Sequence, residues 1–223
     1  KVAIDNVLSC GHCYACSVNR HNVCREVKVL GVHVDGVFAE YVKTDQTKVY
    51  QLPEGYSWEV AATIEPYSIA AESVDRAQVT GRDTVLVCGA GPIGLVILQA
   101  CKRLGAKGAV LDIVDSRLVK AKAIGADLVI NTSKQDLVDA IRQWTDGEGV
   151  NVVMEATGSI AILETSITKL VSQAGRVVVL GFPVEPAKIP PADIRRRELD
   201  IKGSRLNNKK FPEVIRWFAN KEV

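Results

Sequence analysis

Between Asp83 and Ser204, short runs of Val, Ile and Leu alternate with longer stretches in which apolar positions recur every three or four residues. The runs "TVLVC", "GAVLDI", "DLVIN", "VNVVMEATG", "RVVVLG" and "LDIKGS" are continuous rather than alternating, so they predict strands buried on both faces. The stretches between them predict helices over residues 93–104, over "SRLVKAKAIG" with Gly125 closing it, within 135–144 and within 161–171. Strands alternating with helices imply βαβ crossovers, and hence an α/β fold with a doubly wound parallel (Rossmann) sheet. Residues 1–49 have a different texture: loop-rich, with short β-like runs such as "GVFAEYVKT". A Pro-Glu-Gly turn then introduces helical spacing through "IEPYSIAAESV". After Ser204 the polar "RLNNKK" leads into the amphipathic "FPEVIRWFANKEV".

The first predicted strand of the regular region runs straight into Gly89-x-Gly91-x-x-Gly94, which opens a predicted helix through Pro92 and Ile93. Alone this pattern is weak. With a strand before it, a helix after it and Asp112 ending the next strand, 18 positions beyond Gly94, it fits a dinucleotide turn. Gly89 permits the tight turn, Gly91 lets the backbone approach a pyrophosphate, and Gly94 lets helix and strand pack closely. The helix N-terminus offers free N–H groups to the phosphates. Asp112 can accept from the adenosine ribose hydroxyls and repel a 2′-phosphate, which favours NAD over NADP. Arg117, five residues on, is a further candidate at the ribose.

Composition changes this picture little. Lys and Arg number 28 against 26 Asp and Glu, so no basic excess points to nucleic acid. The run Arg195-Arg196-Arg197 reads as a solvated face. No apolar stretch approaches the roughly 18 residues of a membrane helix. Cysteine usage is more telling. Cys10, Cys13, Cys16 and Cys24 fall at C-x2-C-x2-C-x7-C, whereas Cys88 and Cys101 stand alone in apolar contexts and read as inert core thiols. Four thiolates at this spacing can close around one tetrahedral zinc with no open position, a structural rather than a catalytic site. An iron–sulfur cluster or disulfides are the rivals; the cluster run normally brings its fourth cysteine after three residues and follows it with proline. His12 and His21 read as exposed loop histidines, since four cysteines already fill the shell.

Cysteine lobe first and dinucleotide fold after, this order resembles the zinc-dependent medium-chain dehydrogenases, which include alcohol, sorbitol and threonine dehydrogenases. The likeness spans essentially the whole chain and rests on "SCGHCYACSVNRHNVC", "GVFAEYV", "IEPYSIA", "VLVCGAGPIGL", "SRLVKAKAIGAD" and "EATG". It implies that residues 1–66 are part of a GroES-like catalytic domain carrying the structural zinc lobe, 67–204 the NAD-binding domain, and 205–223 the start of a return to the catalytic domain. It also implies that Glu65 serves a catalytic zinc, directly or through its water, as in the polyol branch. His33, Phe38, Arg205 and Asn207 would line the substrate pocket. The nicotinamide end of NAD would lie in the crevice at the strands' carboxyl ends, near Ala156, Thr157, Leu180, Gly181 and Ser204.

One departure bears on function. Such enzymes place a cysteine and a Gly-His-Glu motif upstream of the lobe, and no cysteine or histidine precedes Cys10. The chain opens on Lys1 and its one methionine is Met154. We therefore expect the central fragment of a longer enzyme, in which only the full-length protein holds the catalytic zinc. The expected activity is NAD-dependent oxidation of a secondary hydroxyl of a polyol or sugar acid to a ketone, in a cytoplasmic homo-dimer or tetramer. The alternative is a non-catalytic module that binds NAD and zinc.

Overall fold

The computed structural model describes residues 1–223. In the N-terminal region β1 (Val2–Ile4) pairs antiparallel with β4 (Val49–Gln51), while β2 (Val7–Leu8) pairs antiparallel with β3 (Lys28–Val29). The cysteine loop fills the space between β2 and β3 and contains only the four-residue α1 (Tyr14–Ser17) and a 3₁₀ turn, His21–Val23. The run "GVFAEYVKT" forms no strand. Its apolar members Val37, Phe38 and Tyr41 are exposed and no neighbouring segment pairs with them, so the alternating pattern has no ladder to join and no face to bury.

After the Pro-Glu-Gly turn, α2 (Trp58–Ala77) runs for 20 residues with Pro66 inside it. The chain divides into two compact units, one made of Lys1–Glu72 with Arg205–Val223, the other of Ser73–Ser204. α2 passes from the first unit into the second.

The second unit reproduces the alternation read from the sequence. Its elements are β5 (Thr84–Cys88), α3 (Pro92–Arg103), β6 (Lys107–Asp112), α4 (Asp115–Ala123), β7 (Leu128–Asn131), α5 (Leu137–Trp144), β8 (Val150–Glu155), α6 (Ile160–Thr165), β9 (Val171–Val179), α7 (Pro191–Arg197) and β10 (Asp200–Gly203). α8 (Phe211–Ala219) belongs to the first unit. The six strands pair parallel in the order β10-β9-β8-β5-β6-β7. Their apolar runs are buried as burial on both faces requires: Val85, Leu86, Val87, Ala109, Val110, Ile130, Val152, Val153, Val177 and Val178 are all 0% exposed. Removing each such Val, Leu or Ile from water is worth about 1.5–3 kcal/mol, and this is what holds the sheet.

Two features were not expected. β9 begins at Val171, five residues before "RVVVLG", because Val171 pairs with Val150 before an irregularity shifts the register to Val152↔Arg176. Ala174, at φ 52°, takes the left-handed backbone there. The arginine run lies on α7, where only Arg195 and Arg196 are exposed. Arg197 turns inward and donates to the carbonyls of Val171 (3.1 Å) and Ile167. Ile167 lies within the single π-helical turn Ser166–Leu170 and Val171 caps its C-terminal end, where carbonyls lack partners in a regular helical ladder.

Sheet order positions the site. β5 has β6 on one side and β8 on the other, so consecutive connections leave it in opposite directions. A crevice opens where they diverge, at the carboxyl ends of the strands.

Candidate functional site

β5 ends at Cys88 and the chain turns at Gly89, whose φ of 99° suits glycine. The close packing expected of Gly94 is severe: a Cβ there would sit 1.8 Å from the Gly89 carbonyl oxygen. Gly91 is different. It caps α3, with Pro92 in the first helical turn, and a Cβ on it would meet nothing within 4 Å. Its missing side chain opens onto a recess of about 520 Å³ that Gly89, Asp112, Arg117, Thr132 and Thr157 also line.

Asp112 ends β6 and is buried. Its Oδ1 accepts from the backbone N–H groups of Ile113 (2.8 Å) and Val114 (3.0 Å), and its Oδ2 from that of Ala90 (2.8 Å). Arg117 lies 3.6 Å from Oδ2 with its side chain half exposed. Burial acts to raise the Asp112 pKa, but the three N–H bonds and Arg117 outweigh it and hold the carboxyl below its ordinary value. A carboxylate has about four lone-pair sites, so Oδ2 keeps one for a ligand hydroxyl.

Ala156 and Thr157 from the turn after β8, and Leu180 and Gly181 from the turn after β9, meet Ile93 around a second recess of about 380 Å³. Ser204 is not in either wall: its N–H donates to the Val179 carbonyl (3.0 Å) and its hydroxyl meets that of Ser73 (3.2 Å). It extends the sheet edge and secures α2 instead.

In the first unit the four cysteine sulfurs lie within 4.8 Å of one another. Cys10–Cys24 is 3.4 Å, Cys13–Cys16 3.7 Å and Cys13–Cys24 3.8 Å. Four ligands tetrahedral about zinc at about 2.3 Å stand about 3.8 Å apart, which these distances match. They are far too long for disulfides, and all six cysteines are free. The N–H groups of Cys10 and Glu26 point at the Cys24 sulfur, both at 3.3 Å, a pattern that favours thiolate. Backbone N–H groups of Arg25 and Cys16 draw the Cys13 thiol down to about 6, while burial and the neighbouring thiols push Cys16 up to about 11. A divalent cation resolves that conflict by favouring all four thiolates. The quartet fits a structural zinc site. His12 is exposed, as expected, but His21 is half-buried and bonds the Ser9 hydroxyl (3.2 Å). The polar "RLNNKK" has a use here: Asn208 accepts from the His21 N–H (3.2 Å) and donates to the Asn19 carbonyl (2.7 Å), tying down the loop.

Glu65 faces a separate groove of the same unit, about 470 Å³, lined by Asn6, Leu30, Val37, Phe38 and Phe211. Burial raises its pKa, helped by Asp5 and opposed by Asn6. No set of three His, Cys, Asp or Glu ligand atoms includes Glu65, so the residues present do not make a catalytic zinc site. Of the four substrate candidates the structure brings only Phe38 to this groove. His33 is turned back, its Nδ1 accepting from the Val29 N–H (3.1 Å). Arg205 is exposed and its carbonyl takes the Asn22 amide (2.7 Å). Asn207 is 1% exposed, its amide spent on Asp5 (3.4 Å) and the Lys210 N–H (3.4 Å). None of these three lines the groove wall.

The zinc-binding dehydrogenase model matches residues 92–220, and the alcohol dehydrogenase GroES-like domain model matches 1–54. The chain belongs to the zinc-binding dehydrogenase family. Among similar proteins, the starvation-sensing protein RspB of Escherichia coli K12 is 42% identical over 98% of this chain and 64% of its own length. Sorbitol dehydrogenase of Bacillus subtilis is 33% identical over 99% of this chain and 63% of its own. The crystal structure of the alcohol dehydrogenase rspB from E. coli CFT073 with NADH superposes at a TM-score of 0.94, with 42% identity, covering all of this chain and 66% of that one. This member of the family thus spans under two thirds of the length of RspB and of sorbitol dehydrogenase.

Within the zinc-binding dehydrogenase fold, the residue that sequence reasoning passed over is Glu155, the acid of "EATG". It is fully buried at the end of β8, in the register Cys88↔Glu155↔Val179. A charge closing the apolar run Val152–Met154, directly before a Gly-containing turn, was the available signal. No helix is long and apolar enough to cross a membrane.

Proposed function

We propose that the chain carries the NAD-binding and structural-zinc portions of a dehydrogenase that oxidises a secondary hydroxyl of a polyol or sugar acid. The observation that carries the NAD part is Asp112, held ionised beside the recess that Gly91 leaves open. In this reading the free N–H groups at the start of α3 take the pyrophosphate. Asp112 accepts from a ribose hydroxyl through Oδ2 and repels a 2′-phosphate, and Arg117 flanks it. Ala156, Thr157, Leu180, Gly181 and Ile93 seat the nicotinamide end. NAD, once bound, supplies the hydride acceptor, and the chain's own residues orient it and exclude water. The polyol part rests on Glu65 in its half-buried groove with Phe38 and on the likeness to sorbitol dehydrogenase. Ligands for a catalytic zinc at Glu65 would have to come from outside this chain.

NADH and NADPH titrated into the protein should show tighter NADH binding, and Asp112→Ser should shrink that preference. Equal affinities in the wild type would remove Asp112 from this role. A second reading, a module that binds NAD and zinc without catalysis, is favoured for the isolated chain by the lack of partner ligands around Glu65. Turnover of polyols by protein of the relatives' full length, lost in Glu65→Ala with NADH affinity intact, would decide for the enzyme. Size-exclusion chromatography of the same protein tests the expected homo-dimer or tetramer.

A further inference from the structure

We propose that Glu155 is a positioning residue for the cofactor: its buried carboxylate and its main-chain carbonyl set the two turns lining the nicotinamide-side recess, so that side depends on it more than the adenosine side does. The inference rests on the dinucleotide reading and deepens it.

The side-chain oxygens accept from donors on the turn that follows β8. Oε1 accepts from the N–H of Thr157 (2.8 Å), the N–H of Gly158 (3.0 Å) and the Thr157 hydroxyl, while Oε2 accepts from the Gly158 N–H (3.3 Å). Both carboxyl oxygens are thus engaged as acceptors. Its charge is felt next door, where it helps push the buried Cys88 thiol upwards after burial itself.

The same residue holds the second turn through its backbone. The Glu155 carbonyl accepts from the N–H groups of Leu180 (2.8 Å) and Gly181 (3.0 Å). Gly181 packs so closely that a Cβ there would lie 2.3 Å from the Gly158 nitrogen and 2.6 Å from Glu155 Oε2. One residue therefore fixes Thr157 and Gly158 through its side chain and Leu180 and Gly181 through its main chain. All four line the 380 Å³ recess. Asp112 takes its backbone hydrogen bonds from Ala90, Ile113 and Val114, whereas the Glu155 carboxyl takes its own from Thr157 and Gly158, of which Thr157 alone also lines the Asp112 recess.

Glu155→Gln keeps the volume but turns an NH₂ towards donors, so the turn at Thr157 must shift. NADH spans both recesses, whereas AMP reaches the Asp112 end alone. By fluorescence titration, Glu155→Gln should weaken NADH about tenfold, the loss expected when one charge-assisted bond to a buried group goes. AMP, measured by displacement of NADH, should keep its wild-type affinity within about twofold. Thr157→Val removes only the hydroxyl donor and is a milder variant should Glu155→Gln fail to fold; it should weaken NADH about threefold, with AMP, which meets Thr157 at the edge of its own recess, losing less. A merely structural role would weaken both ligands together. Equal losses, or no loss of NADH affinity, overturn the inference while leaving the cofactor reading intact. Wild-type protein that binds neither nucleotide overturns the cofactor reading and this inference with it.

Discussion

The cysteine loop and the glycine turn are both short motifs with fixed spacing, yet they are held in opposite ways. Around the turn, Val85, Leu86, Val87, Val110 and Leu111 are sealed in a parallel sheet, so the site's shape comes from a core that exists without any ligand. Around the cysteines, β2 and β3 offer two paired residues each, and α1 buries one residue, Cys16 itself. Side-chain ties from Asn208 and Asn22 help, but each such bond is worth only about 1 kcal/mol. A loop with so little to bury needs its metal; a turn on a buried sheet needs only its glycines. One motif is built by what binds it, the other before anything binds.

The largest effect should come from breaking the first half of that contrast. Structural zinc supplies about 10–16 kcal/mol of apparent binding free energy in small four-ligand sites, so removing it should leave the loop without order. Elemental analysis should find about one zinc per chain, lost on chelation or in Cys13→Ser. Amide hydrogen exchange should then accelerate across residues 9–27 while β5 and β6 stay protected. Iron with visible charge-transfer absorption, or an unchanged exchange pattern after chelation, would contradict the account.

The second half breaks at Gly94. Its Cβ would fall 1.8 Å from a backbone oxygen rather than from a flexible side chain, so Gly94→Ala must displace α3 from β5. We expect a destabilisation of about 3 kcal/mol or more in thermal or urea unfolding, with zinc content unchanged. Gly91→Ala, facing open space, should leave stability within about 1 kcal/mol and weaken NADH instead.

The smallest effect sharpens the comparison at Asp112. Its carboxyl sits below the ordinary value in the folded protein, so its contribution is present above the unfolded value of about 3.9 and lost as pH falls through the folded one. Asp112→Asn should therefore cost about 1–3 kcal/mol, constant between about pH 6 and 8, and the deficit should narrow below about pH 4. A deficit that grew on acidification would reverse the assigned sign.

Periodicity and spacing are local properties, and they determined much of this protein: the strands of the parallel sheet, the glycine turn with Asp112 beyond it, and four cysteines close enough for one ion. A continuous apolar run can be satisfied only by burial on both faces, and C-x2-C spacing keeps a pair of sulfurs within reach of one ion. What depended on partners distant in sequence was left to the tertiary structure. "GVFAEYVKT" had a strand's alternation but no neighbouring strand. β9 began early because Val150 was there to pair with Val171, and Arg197 left the surface because a π-helical turn offered it carbonyls. Asn207 was drawn from the groove by a buried aspartate 202 positions away, Asp5. Glu155 combines the two: its carboxyl is met by N–H groups two and three residues on, which matter because the cost of burying a carboxylate is set by the donors that surround it, while its carbonyl holds the distant turn at Leu180 and Gly181.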